Sequence, residues 1–385
     1  MMTRKLILMV LIILLALFGF GRDGDAKSGA GQAIQKIFDV PAGKTLDIDL
    51  KSGGPIRVKG REKPRVEIAV RFKNGDADDW KITYNQTEEG IVVESRYTGK
   101  GFKNIGSPAF DIIVPTRFNL KIRTMGGEIT IDGVEGKFTG KTMGGNLTLS
   151  RLKGNIDLKT MGGDISLTDS DIDGALKTMG GRVLFENVVG NVKGSSMGGN
   201  VVYKNVKPRS GAAAGSVLSI STMGGAINVS DAPHGAQVST MGGDIQIKSA
   251  REFIKAKTMG GNIVIDAIDG WVKATTMGGD VRVTMNGDPD KGDRHVTLSS
   301  MGGEISLTVP RGLSMDIELE LSYTKDSSKK YKIVSDFEIR EKEAEQWEDG
   351  KGSPRKYLYG TAKIKGGKHK IKIKTINGNI YLKEK

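Results

Sequence analysis

The sequence predicts an all-β fold, a single-chain β-solenoid (β-helix) with about 18 residues per coil, capped by irregular β flanks. Three observations predict it. Ten Met-Gly-Gly tripeptides, each preceded by Thr or Ser, occur at Met125, Met143, Met161, Met179, Met197, Met223, Met241, Met259, Met277 and Met301. Seven of the nine intervals between successive Met equal 18, and the other two, 26 and 24, read as loop insertions. Between the tripeptides, apolar and polar residues alternate with period two, the mark of half-buried strands. A short fixed period means that each unit stacks on copies of itself to bury its apolar side.

In chain order, the first element is an export signal over residues 1–26. Arg4 and Lys5 precede the apolar run Leu6 to Phe20, and Ala26 ends a small-residue cleavage pattern. A retained N-terminal anchor is the alternative, and no second run of membrane length follows. The expected location is periplasm, cell surface or extracellular space. Residues 27–110 form an N-terminal β cap with a degenerate repeat: Leu46, Ile48 and Leu50, then Ser52-Gly53-Gly54-Pro55-Ile56. A cap is needed because an open solenoid end exposes unpaired backbone groups.

The solenoid itself covers 111–322. In the coil that starts at Met143, Leu147 and Leu149 point inward on one strand, and Ile156 and Leu158 on the next. One bend is expected at Met-Gly-Gly and the other near Leu152 and Gly154. The structural corner residues are Gly144, Gly145, Gly162, Gly163, Gly242 and Gly243, which would supply the positive φ of a tight bend. Handedness does not follow from the pattern. A hexapeptide left-handed helix fails, because stepping six residues from Leu147 reaches Lys153 and Lys159. Calcium-binding rolls fail as well, since Gly-Gly is followed by one residue and then an aliphatic, as in Gly163-Asp164-Ile165. Residues 323–354, rich in Lys, Glu, Asp and Ser, read as a charged loop or short helix. Residues 355–385 form a C-terminal basic β cap, whose last strand rejoins the stack through Asn377-Gly378-Asn379-Ile380.

The recurring Thr-x-Gly-Gly-x-Ile-x-Leu unit, the strands ending Val114-Pro115 and Val309-Pro310, and the end Gly366 through Ile380 resemble the bacterial DUF4097 family of adhesin-type proteins. The resemblance covers most of the chain from about residue 37 and implies the solenoid fold and a surface-binding role. It implies no catalytic residues. The family varies at the position that is Met in all ten units here, so the resemblance does not explain the Met.

Three features are candidate sites. Stacking lines the thioethers along one edge, with Met143, Met161, Met179, Met241 and Met259 as representative positions. They serve either as flexible corner packing, as an exposed apolar contact stripe, or as soft-metal ligands. The residues after Gly-Gly (Glu128, Asn146, Asp164, Arg182, Asn200, Ala226, Asp244, Asn262, Asp280 and Glu304) form an interrupted acidic and amide ladder, suited to local turn bonds or to cations and glycans. Lys370, Lys372 and Lys374 alternate with Ile371 and Ile373. They present one basic face to an anionic glycan or an envelope surface, or they blunt an edge strand.

The absence of Cys excludes a disulfide framework and thiolate chemistry. No phosphate loop or zinc-protease motif occurs. The expectation is a non-catalytic exported envelope module, with no cofactor and no resident metal. It binds an anionic glycan or the envelope surface, or self-associates along the Met edge as a scaffold. Nucleic acid is not the expected partner, and a polysaccharide-acting β-helix enzyme is the disfavoured alternative.

Overall fold

A computed structural model describes residues 33–72, 77–99, 106–209, 217–327, 331–348 and 353–385. The expected signal peptide at 1–26 therefore lies outside the described residues. The fold is all-β and solenoidal, as the repeat requires. Strand residues of the array pair, in parallel, with their counterparts in the next coil. Leu147 faces Ile129 on one side and Ile165 on the other. Across the coil, Ile156 faces Phe138 and Gly174. Two ladders result, one built from the strands after Gly-Gly and one from the strands before Met.

The two long intervals do not interrupt the stack. Val201 pairs with Ile227 and Val281 with Ile305, so the register continues across both intervals, and the residues after Met285 leave the ladder as a loop. That loop is pinned by Arg294, whose side chain is only 2% exposed. Its Nη2 donates to Asp269 Oδ1 at 2.7 Å, and its other nitrogens donate to the carbonyls of Asn286 and Asp288. A buried guanidinium is tolerable only when its donors are satisfied in this way.

Inward side chains stack like on like. Ile129, Leu147, Ile165, Val183 and Val201 form one fully buried column. Where a column narrows, the opposite strand fills the gap. Gly194 stands in register with Leu176, and the rings of Phe185 and Tyr203 occupy the space, edge to face at 4.8 Å. The Tyr203 hydroxyl accepts the Gly194 amide and donates to the Val192 carbonyl. Burial raises its pKa far above the usual phenol value.

The bends differ from the sequence expectation. None of Gly144, Gly145, Gly162, Gly163, Gly242 and Gly243 has positive φ. The left-handed residues sit at the opposite bend, at Gly133, Arg151, Asp169, Asn187 and Asn205, each one period from the last. That bend lies at Arg151, beside Leu152 as the sequence suggests, and Gly154 just after it also has positive φ. Asn and Asp suit it because their short side chains tolerate this conformation. They also bond along the column: Asn205 donates to Asn187, and Asn187 to Asp169.

At both ends the coils stack out of sequence order. Thr45–Leu50 and Ile56–Arg61 form a complete coil that sits directly on Asn119–Thr124 and Ile129–Asp132. The later strands Gly90–Tyr97 and Ala109–Pro115 lie outside it. Antiparallel strands Ala33–Asp39, Arg65–Arg71 and Trp80–Thr87 finish this end. The other end mirrors this. His369–Ile376 inserts between Val296–Ser300 and Met315–Thr324. Ile380–Glu384 inserts between Ile305–Val309 and Ile333–Ser335. The last strands rejoin the stack, but as an interior coil. The outer cover is Met315–Thr324 with its antiparallel neighbour Arg355–Ile364, which also pairs with Arg340–Glu343. The segment 323–354 thus contributes two short strands, with no helix among its described residues.

Candidate interaction surfaces

The Thr or Ser before each Met is buried, and its hydroxyl joins neighbouring coils. Thr160 donates to the Gly145 carbonyl at 2.8 Å and accepts the Gly163 amide at 3.2 Å. Thr178, Thr240, Thr258 and Thr276 repeat the arrangement, as do Ser196 and Ser300. Each hydroxyl satisfies one acceptor and one donor that would otherwise be buried unpaired.

The two glycines of each corner have different surroundings. A Cβ on Gly145 would stand 1.9 Å from the Gly127 carbonyl oxygen, and one on Gly163 2.2 Å from that of Gly145. Gly243 is equally crowded, at 2.1 Å from Gly225. The first glycines have room: Gly144 meets nothing within 4 Å, Gly162 meets Gly144 at 3.7 Å, and Gly242 meets Gly224 at 3.4 Å. Close approach of stacked backbones, not backbone angle, fixes the second glycine. Nothing in the structure explains the first.

With the hydroxyl turned in, alternation turns the next side chain out. All ten Met are exposed, from 39% at Met143 to 60% at Met125. The column is therefore an unbroken apolar edge rather than interior packing. Met161, Met179, Met241 and Met259 belong to it, at 44%, 47%, 50% and 43%. Met285 and Met315, outside the motif, are fully buried.

Beyond the glycines, the acidic and amide ladder bonds from coil to coil. The Asn146 side chain accepts the Asp164 amide, Asp164 accepts that of Arg182, and Asn200, Asp244, Asn262 and Asp280 continue the pattern. In these six coils one carboxylate or amide oxygen is committed to the next backbone, while Arg182 and Ala226 offer none. The sequence expectation placed these bonds within single turns.

The basic row of the C-terminal strand is matched in register by an acidic row. Lys372 pairs with Glu318 at 2.7 Å and Lys374 with Glu320 at 2.8 Å, while Asp316 faces Lys370. The strand is interior to the ladder, so these lysines do not guard an edge.

Two further places hold polar groups that sequence reasoning did not bring together. Asp293, His295 and His369 lie with their ligand atoms within 4.8 Å of one another. Yet His295 Nδ1 accepts the Lys370 amide and His369 Nδ1 accepts the Arg294 amide. Both Nε2 atoms then carry protons, which is the wrong tautomer for a metal. Burial, reinforced by Lys368 and His295, holds the His369 imidazole below its usual pKa. Elsewhere, a groove of about 220 Å³ is lined by Asp280, Arg282, Glu304, Ser306, Tyr381 and Lys383, a balanced set of charges.

No family model matches this sequence. No curated protein sequence matches it either. Among solved structures, the chain is similar to a "putative cell adhesion protein" from Clostridium sporogenes, at 12% identity and TM-score 0.18, covering 92% of this chain and 100% of that one. It is also similar to a "putative adhesin" from Parabacteroides distasonis, at 14% identity and TM-score 0.36, covering 70% and 98%. A third, from Bacteroides fragilis and likewise called a "putative adhesin", has 16% identity and TM-score 0.29, covering 63% and 97%. At superposition scores this low, the likenesses carry no weight for fold or role.

Proposed function

We propose that this protein is a non-catalytic, exported β-solenoid that binds at the cell envelope, as an adhesin or surface-binding module, through its Met edge. One observation carries the reading: ten thioethers stand 39–60% exposed in an unbroken line. Contiguous exposed apolar surface marks interaction sites, and Met adapts to irregular partners because its side chain is flexible and polarizable. The fold does not need these side chains for its core, which the inward Ile, Leu and Val supply. Export is supported by the basic residues and apolar run at the start of the sequence.

The test uses the purified full chain and a variant carrying Met→Gln at positions 143, 161, 179, 241 and 259. The variant keeps its circular dichroism spectrum and melting profile but loses binding to isolated envelope fractions. Undiminished binding by the folded variant sinks the proposal. Sedimentation of the protein alone separates the scaffold reading, in which the Met edge holds copies of the chain together.

A further inference from the structure

Strand register places a second column beside the Met edge. Arg123, Lys141, Lys159 and Lys177 pair directly with one another, coil over coil. Each lies two residues before a Met of the edge, so alternation turns both outward at the same corner. The three lysines are exposed. Like charges facing each other across a ladder are destabilising, and this protein neutralises such a row elsewhere, setting Glu318 and Glu320 against Lys372 and Lys374.

Here the row is left largely bare. Arg123 is tied to Asp47 and Asp49, and Glu128 beyond the corner is tied to Arg57. Lys159 has only a 3.6 Å contact with Asp157, both about half exposed. Asp164 accepts the Arg182 amide. Lys141 and Lys177 have no ion pair among the described residues.

We infer that Lys141, Lys159 and Lys177, with Met143, Met161 and Met179, form a docking surface for the anionic headgroups of a phospholipid bilayer. The inference rests on the Met-edge reading above and names its partner. Cations beside exposed apolar side chains match a surface that is anionic outside and apolar just beneath. A soluble polyanion would engage the lysines but have no use for the thioethers.

The experiment measures co-sedimentation of the full chain with phosphatidylcholine vesicles, with and without phosphatidylglycerol, at low and high salt. Binding requires the anionic lipid and weakens with salt. The K141Q/K159Q/K177Q variant loses affinity by about fivefold per lysine. The M143S/M161S/M179S variant also binds these vesicles more weakly, while its binding to dextran sulfate is unchanged.

Equal binding to neutral vesicles, or full binding by either folded variant, overturns the inference. If the Met variant binds anionic vesicles normally and the lysine variant loses dextran sulfate, the partner is a polyanion and not a lipid. If the Met→Gln variant loses envelope binding but no vesicle binds the wild-type chain, the lipid assignment falls and the Met-edge reading stands.

Discussion

The second glycine and the buried hydroxyl of each corner do most to fix coil spacing, and they fail in different ways. Gly163→Ala drives a methyl group into the Gly145 carbonyl, so the coils must separate, at a cost of about 3 kcal/mol. Gly162→Ala meets ordinary van der Waals contact and is expected to change stability by less than about 1 kcal/mol. Urea unfolding of the two variants checks the contrast, and equal effects would refute the close-approach explanation. Thr160→Val keeps the shape but leaves the Gly145 carbonyl and the Gly163 amide without partners, costing about 1–3 kcal/mol in the same assay. The motif itself is plain in the sequence, but the reason for its Thr is not. In the regular coils the hydroxyl acts on a carbonyl 15 residues earlier, in the neighbouring coil, and across the longer intervals on one 23 or 21 residues earlier, which no single period reveals. The expectation of positive φ at Gly-Gly failed for the same reason, since the constraint comes from the coil alongside and not from the bend.

At the scale of the strand, alternation revealed which residues point in and which point out, and the structure follows it. What alternation could not reveal is the order of the end coils. Gly378 and Asn379 mark the last strands as repeat-like, but nothing in them says that they enter between two earlier coils. The basic row therefore looked like a cap, although its partners Glu318 and Glu320 already stood earlier in the sequence. His369 begins this inserted coil and adds a pH dependence. Its folded pKa is depressed by burial, so the unfolded chain binds the proton more readily. Its contribution to stability is present above the ordinary value of 6.5 and is lost as pH falls through the folded pKa. Hydrogen-exchange protection in His369–Ile376 is expected to weaken below pH 6.5, by about tenfold per pH unit until the folded value is reached. His369→Gln should abolish that loss, and an unchanged pH profile in this variant would count against the assignment.

For the whole array, stability is a sum over coils and their interfaces. Amide exchange in the described strands is therefore expected to be slowest in the middle of the stack, in Val183–Val189 and Val201–Lys207, and fastest in the flanking antiparallel strands Ala33–Asp39 and Arg340–Glu343. A uniform rate along the chain would mean one cooperative unit instead. The solenoid was legible because its period appears ten times, and the exposure of the Met column was not. A flexible apolar residue beside glycines suits an interior corner as well as an outer edge, and only the inward turn of the preceding hydroxyl decides between them.

The interleaved ends make assembly depend on sequence distance. Within the array a strand meets its partner a single period away, whereas Val296–Ser300 waits for Ile371 and its neighbours, which come about four periods later. Short loops close before long ones, so the middle coils are expected to pair first and the final strands last. A ribosome that stalls before residue 369 would release a chain whose last coils offer bare rungs to any passing strand. Such fragments, rather than the finished protein, are the species that should clump or be degraded.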